Sequence, residues 1–330
     1  MFEKIVKELC LGNLISTPSR IYGGLTHKMY SVETDKGHFA VKILNENIMK
    51  RPTAIENFKK SDTLECVIEN NNIPCVYSLT TNGKKMYKID DIYIYVYPFY
   101  SGHSLSQDEI GISHVQKISE VMAKIHNIDF QDVNALKIHK VDFKKYIKLS
   151  KEKNSVIYNY IFDKLEVLNN LLNNSNEAVS KIKPISCICH NDLDSKNVLW
   201  KNDEFKIIDL ECLCYSNPYK ELFEMALSWS GFDNLDINYD LFKEFIKTYK
   251  DNTKLDMNID WEQIYYTNNG MLFWLEYNIK RALELEKVDQ EEKELGIKEV
   301  KNTIDKIMYY NNSKDKILKK INEVIKWKKY

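Results

Sequence analysis

The stretch His190-Asn191-Asp192-Leu193-Asp194-Ser195-Lys196-Asn197-Val198-Leu199-Trp200, continued by Lys206-Ile207-Ile208-Asp209-Leu210-Glu211, decides how this chain reads. Its form is H-x-D-x-x-x-x-N, a short β-hairpin, then an apolar strand ending in D-L-E. A hairpin between Asn197 and Asp209 brings those two residues back to one point. An amide carbonyl and a carboxylate there are the hard oxygen ligands that Mg²⁺ prefers. Asp192 suits the carboxylate that orients a hydroxyl and accepts its proton. Together these are the residue types that phosphoryl transfer from a nucleoside triphosphate calls for. Each alone is an ordinary turn residue; the ordered set, flanked by strands, is a more specific signal.

Outward from this segment, the chain divides by period. Residues 2–11 form a short amphipathic helix. Met29–Thr34 and His38–Leu44 alternate as strands around the turn Asp35-Lys36-Gly37, which predicts a β-hairpin. A helix opens at Arg51-Pro52-Thr53 and runs to about Asn70. Met86–Ile89 and Ile92–Tyr97 read as two further strands, separated by Asp90-Asp91. After Ser101-Gly102 the pattern is helical: a helix capped by Ser113, two Lys/Asn-rich helical stretches over 142–180, and helices from Pro218 onward. The expected fold is α+β and two-lobed, a small antiparallel sheet lobe followed by a larger, mainly helical lobe. The lobes are expected at residues 1–100 and 102–330, with a hinge at about 98–101.

The catalytic segment resembles the aminoglycoside phosphotransferase and choline kinase family, small-molecule kinases of protein-kinase-like fold. The resemblance continues through Asn217-Pro218-Tyr219-Lys220-Glu221-Leu222-Phe223-Glu224-Met225-Ala226-Leu227-Ser228-Trp229-Ser230-Gly231. It implies that Asp192 is the catalytic carboxylate and that Asn197 and Asp209 hold Mg²⁺. Glu221 stands where the family usually has an Asp that braces the catalytic loop; an ordinary acid near a helix N-terminus explains it equally well. Asp194 replaces the Lys of protein kinases, as is general in the small-molecule branch. Glu211 replaces the Gly of D-F-G, and so either supports a metal ion, contacts a substrate amine or is a solvated acid.

The resemblance also assigns the amino-terminal lobe. Gly23-Gly24 lies where small residues let backbone approach phosphates. Ala40-Val41-Lys42 resembles the strand whose Lys grips the α/β-phosphates. Its carboxylate partner is expected on the helix over 52–70, at Asp62 or, one turn on, at Glu65. Tyr95-Val96-Tyr97-Pro98-Phe99-Tyr100 fits the hinge, with the Pro98 carbonyl and the Tyr100 N–H bonding the base. Tyr97 bounds the back of that pocket: a bulky side chain there disfavours adenine relative to guanine, although simple core packing beside an ordinary ATP site is the plainer reading.

Lys and Arg total 47 against 48 Asp and Glu, which gives no global attraction to nucleic acid or an anionic membrane. Only Arg20, Arg51 and Arg281 are arginines, few for a nucleic-acid reader. The longest apolar run, Ile92–Tyr100, falls far short of the roughly 20 residues that span a bilayer. The acids within the pattern of residues 1–8 are unlike a secretory leader. Seven cysteines do not resemble a disulfide framework, so a cytoplasmic protein is expected. Cys187/Cys189 and Cys212/Cys214 form two C-x-C pairs, a weak zinc signal beside the simpler reading of thiols in strands. His190 reads as a structural imidazole. The basic amphipathic tail 317–330 suits a membrane surface, although packing its Ile317, Ile321, Val324 and Ile325 stripe on the helical lobe is the simpler account.

The expected activity is transfer of the γ-phosphoryl group of ATP or GTP to a hydroxyl of an aminoglycoside-like or amino-sugar acceptor. Choline or a related amino alcohol is the next reading, and an inactive nucleotide-binding scaffold a third, which intact Asp192, Asn197 and Asp209 oppose. A protein-substrate kinase is disfavoured, since neither D-F-G nor A-P-E is present. Acids and aromatics near Trp229, Trp261 and Trp274 suit a cationic or neutral acceptor.

Overall fold

The computed structural model describes residues 1–22, 26–286 and 288–326. The chain forms two compact units: Met1–Ser106 with Ile188–Cys214, and Gln107–Cys187 with Tyr215–Tyr330. This corrects the expected division at a single point near residue 100. The physical reason is backbone pairing. The Ile207 N–H donates to Pro74 O at 2.8 Å, and Val76 N–H returns a bond to Ile207 O at 2.8 Å. His103 and Trp200 exchange two more, at 3.0 and 2.8 Å. The hairpin of residues 198–207 therefore belongs to the amino-terminal unit. Gly102 permits that approach: a Cβ there meets Trp200 O at 2.9 Å and a Tyr100 ring carbon at 2.7 Å.

The first unit is built on a five-stranded antiparallel sheet of Ser19–Ile21, Lys28–Thr34, Gly37–Ile43, Ile92–Pro98 and Tyr87–Ile89, in that spatial order. Thr34 pairs with Gly37, so the hairpin turns on Asp35 and Lys36 alone, and Gly37, expected in the turn, opens the second strand. Strand alternation sends Val32, Val41, Ile94 and Val96 to one face, where they pack with Ile5 and Val6 of helix Phe2–Glu8. Lys42 and its cross-strand partner Tyr95 face the other way. There Tyr95 packs with Leu44 and with Phe58 of helix Ala54–Asn70. A lysine is thus fixed on the sheet face that the helix covers.

The second unit is helical, with helices at Ile112–His126, Phe143–Glu152, Leu165–Lys181, Pro218–Ser228, Tyr239–Asn252, Gly270–Ala282 and Gln290–Ile325 among its elements. One core cluster of this unit joins Phe143, Ile157, Leu168, Leu275, Ile279, Val300 and Ile307. The first of these helices is capped at Gly111 rather than Ser113, because the His114 Nδ1 accepts from the Gly111 N–H at 3.0 Å. The last helix buries Ile317, Ile321 and Val324, as its stripe predicts. Lys250 closes its end, donating to Val324 O and Ile325 O at 3.0 and 3.1 Å. Trp327–Tyr330 lie outside the described residues. No helix among the described residues is long and apolar enough to cross a membrane.

Candidate active site

The segment 190–211 is folded by its own polar side chains. Asn191 adopts a left-handed conformation, φ 62°, which Asn tolerates better than most residues. Its Nδ2 donates to Cys189 O at 3.1 Å and to Cys212 O at 3.0 Å, tying the loop to the residues after Asp209. His190 is buried. Its Nδ1 accepts from the Asp192 N–H at 3.3 Å and its Nε2 meets Ile208 O at 3.1 Å. That is the structural imidazole the sequence suggests.

The strands Val198–Lys201 and Glu204–Ile207 pair with Val198 opposite Ile207, and Asn197 O accepts from the Ile208 N–H at 2.9 Å. Asn197 and Asp209 therefore leave the same open end of one hairpin. The Asn197 Nδ2 donates to Asp192 O and to Asp192 Oδ2, both at 2.8 Å. With its amide nitrogen committed, Asn197 is left with Oδ1 for a cation, which is the atom a hard metal requires. Asp209 is left-handed, φ 65°, an uncommon conformation for a residue with a side chain. Its carboxylate already attracts a cation: Lys42 Nζ stands 2.5 Å from Asp209 Oδ1. This donor set fits Mg²⁺.

Lys42 also pairs with Glu211, and neither pairing involves the helix. This corrects the expectation that Asp62, or else Glu65, holds Lys42. Asp62 instead accepts from the Tyr95 hydroxyl at 2.8 Å. Glu65 is taken by Lys85 at 3.0 Å and by the Ser78 N–H and hydroxyl at 2.6 and 2.8 Å. Burial lowers the Lys42 ammonium, but Asp209 and Glu211 outweigh it and hold the pKa above the ordinary value. Burial raises the Glu211 carboxyl, yet Lys42 and His27 bring it down to about 2.

Lys196, which the sequence reading did not single out, reaches back along its own turn. Its Nζ lies 3.2 Å from Asp192 Oδ1 and 2.6 Å from Asp194 Oδ2. Burial lowers this ammonium and the two aspartates raise it, with the aspartates prevailing. A carboxylate two residues after Asp192 thus anchors a lysine beside it. The pattern D-x-D-x-K is the signal that was available.

At the segment 98–101, expected as a hinge, Phe39 pairs with Pro98 and the Phe99 N–H donates to His38 O at 3.0 Å. Tyr97 pairs with Ala40, which puts it on the same sheet face as Lys42. Burial, and then the carboxylates Glu65 and Glu211, hold its phenol well above the ordinary pKa. Gly23 and Gly24, expected against the phosphates, lie outside the described residues. Of the C-x-C pairs, Cys187 and Cys189 are buried while Cys212 and Cys214 are exposed.

In the helical unit, Glu221 Oε2 meets His126 Nε2 at 2.6 Å, and the other ring nitrogen meets the Tyr249 hydroxyl at 2.6 Å. His126 had no recognisable spacing in the sequence. Of the acids near Trp229, Trp261 and Trp274, Glu224 pairs with Lys220, Asp260 caps the helix Trp261–Thr267, Glu262 pairs with Lys314, and Glu276 takes Tyr146 and Lys280. Asp233 opens on a cavity of about 500 Å³. Phe232, Trp274, Glu299, Asn302, Asp305 and Lys306 also line it. Gly231 makes the turn into Phe232 at φ 100°, where a Cβ would strike Asp236 O at 2.4 Å. Trp274 Nε1 donates to Glu299 at 3.0 Å, and Lys306 pairs with Asp233 at 2.5 Å.

A small antiparallel sheet carrying a buried lysine, joined by a hairpin that gathers Asp192, Asn197 and Asp209, defines a kinase-like phosphotransferase. The phosphotransferase enzyme family profile matches residues 17–249, and this chain belongs to that family. It is an enzyme that moves phosphate to a hydroxyl group, of the small-molecule kinase type. The fold is similar to that of spectinomycin phosphotransferase APH(9)-Ia, solved with ADP and spectinomycin. The TM-score is 0.68 at 13% identity, over 94% of this chain and 97% of that one. The amicoumacin kinase hAmiN, solved with AMP-PNP and Ca²⁺, gives 0.59 at 12% identity over 92% of each chain. An ethanolamine kinase of Plasmodium vivax gives 0.54 at 17% identity, over 91% and 86%. No curated protein sequence matches this chain.

Proposed function

We propose that this enzyme transfers the γ-phosphoryl group of ATP or GTP to a hydroxyl of a small, amine-bearing acceptor of the aminoglycoside or amino-sugar class. The observation that carries the reading is the gathering of Asp192, Asn197 and Asp209 at the open end of one hairpin, with Lys42 against Asp209. Asp192 orients the acceptor hydroxyl and takes its proton. The Asn197 Oδ1 and the Asp209 carboxylate hold Mg²⁺, which when bound neutralises charge on the phosphates. Lys42 grips the non-transferred phosphates. The Pro98 carbonyl and the Tyr100 N–H serve the base, and Tyr97 bounds its pocket.

The acceptor class rests on the cavity in the helical unit. Its volume of about 500 Å³ is in the range of small-molecule sites. Its lining carries three carboxylates, Asp233, Glu299 and Asp305, against the single cation Lys306, with Trp274 and Phe232 as aromatic walls. Amines on a polyhydroxylated ring find ion pairs and cation–π contact there. The test is nucleotide turnover over aminoglycosides, amino alcohols and plain sugars, with ATP and GTP in parallel. Turnover with amino-sugars is expected. Turnover confined to amino alcohols moves the acceptor to the choline class, and none with any hydroxyl compound defeats the proposal.

A further inference from the structure

We infer that Glu211, steadied by His27, positions the Lys42 ammonium for the phosphates in place of a carboxylate from helix Ala54–Asn70. This rests on the kinase reading of Lys42 given above.

The side chain of Lys42 is only 7% exposed, so its ammonium needs a carboxylate. Four acids approach this part of the unit, and three have other employment. Asp62 is bonded by Tyr95, and Glu65 by Lys85 and Ser78. Asp209 is 32% exposed at the hairpin mouth, and a carboxylate that holds a metal shares its charge with that metal. Glu211 remains, 15% exposed, and it is bonded on both oxygens. Oε2 accepts from Lys42, and Oε1 lies 3.1 Å from His27 Nε2.

His27 is itself fixed. The Asn45 N–H donates to its Nδ1 at 2.9 Å, which leaves Nε2 as the N–H that reaches Glu211. The sheet supplies this geometry. Lys28 and Ile43 are the last pair of the hairpin, so His27 and Asn45 lie just past its end, on either strand. Phe58 packs near the imidazole, with ring centroids 6.4 Å apart. The relay Asn45 N–H, His27, Glu211, Lys42 thus runs from backbone to ammonium without a member from the helix. Two changes of partner explain one another: Lys85 occupies Glu65, and Glu211 takes over Lys42.

Glu211 is a positioning residue, since it acts through Lys42, and three readouts test it. Steady-state kinetics are compared for Lys42→Ala, Glu211→Gln and Glu211→Asp. Asp62→Asn and the paired change Glu65→Gln with Lys85→Met report on the helix. Acylation of Lys42 by a lysine-reactive ester, followed by mass spectrometry in nucleotide-free protein, reports on the pairing independently of activity. The expected loss in kcat/KM for Glu211→Gln is about 10–100-fold, the range for residues that orient a binding group. Glu211→Asp recovers part of it, and Glu211→Gln adds nothing to Lys42→Ala, because the two act as a unit. Lys42 acylates faster in Glu211→Gln, while both helix variants acylate and turn over as the wild type does. Wild-type kinetics and labelling in Glu211→Gln, with Lys42→Ala impaired, would overturn the inference and leave the kinase reading standing. The same loss in either helix variant would also overturn it. A fully active Lys42→Ala removes the kinase reading of Lys42 and this inference with it.

Discussion

Asn197 gives both hydrogens of its side-chain amide to Asp192, one to the backbone carbonyl and one to Oδ2, each at 2.8 Å. The pairing sets two chemical states at once. It points the Asn197 carbonyl oxygen away from Asp192, and it holds one carboxylate oxygen of Asp192 in place while Lys196 attends the other at 3.2 Å. The proposed proton acceptor and the proposed metal ligand are thereby oriented by the same pair of bonds. This is the arrangement that a reaction consisting mostly of positioning requires.

Asp192→Ala is expected to lower kcat by about 10²–10⁴-fold, the usual cost of losing a positioned base. Nucleotide affinity is expected to stay near the wild-type value, because the proposed role of Asp192 is on the acceptor. Calorimetry with Mg²⁺–nucleotide and single-turnover kinetics separate the two effects. Wild-type-like turnover in this variant would remove Asp192 from the chemistry.

Much of this was legible in the sequence, for a physical reason. Strand alternation around Asp35-Lys36-Gly37 predicts the hairpin that carries Lys42, because the period of a strand is two. The catalytic loop is legible because its residues are close in sequence and their spacing is set by one turn and one hairpin. The partner of Lys42 was not. It depends on which of several carboxylates is already bonded, and Glu65 is claimed by a lysine twenty residues away across a loop. His126 and Glu221 are 95 residues apart, so no spacing announces them. Asp260, one of the acids beside Trp261, is a helix cap, and a carboxylate before a helix serves that purpose or a ligand equally well from sequence alone.

Asp62 gives a pH dependence whose sign is fixed. Burial raises its carboxyl from 3.8 to about 6, with Tyr95 lowering it and Glu65 raising it further. The folded state therefore binds this proton more tightly than the unfolded one. The resulting stabilisation is fully present below the unfolded value and is lost as pH rises from about 4 to about 6. Asp62→Asn, which keeps an oxygen for the Tyr95 hydroxyl, removes the titration. Melting temperatures for the two proteins, compared from pH 4 to 7, are expected to shift in favour of the variant as pH rises. A constant difference across that range would show that Asp62 does not titrate there.

The Lys85–Glu65 pair carries a stability prediction. Both side chains are about 5% exposed. Lys85→Met leaves the Glu65 carboxylate buried without its cation, at a cost of about 3–5 kcal/mol. Adding Glu65→Gln removes the stranded charge and is expected to return most of that loss. Urea unfolding of the single and double variants checks it. A single variant as stable as wild type would mean that Glu65 finds water or protonates without penalty.

The charge of the acceptor follows from where the cations of the helical unit are spent. Its one arginine, Arg281, is 4% exposed, so it does not offer the bidentate contact that carboxylate and phosphate groups favour. The cavity holds Lys306, but that ammonium is engaged by Asp233 at 2.5 Å. Glu299 holds the Trp274 indole at 3.0 Å, which presents a fixed aromatic face beside a carboxylate. Cationic hydroxyl compounds are therefore expected to outperform matched neutral and anionic ones. Trp274→Ala is expected to raise the acceptor KM by about 2–30-fold, from loss of a cation–π contact of about 0.5–2 kcal/mol. Asp305→Asn is expected to raise it less, since that acid acts in partly exposed surroundings. Raising ionic strength from low to moderate should weaken the cationic acceptor and leave the neutral one nearly unchanged. A preference for a phosphorylated or carboxylated acceptor would remove the cavity from the acceptor site, and the phosphotransferase chemistry at Asp192 would stand without it.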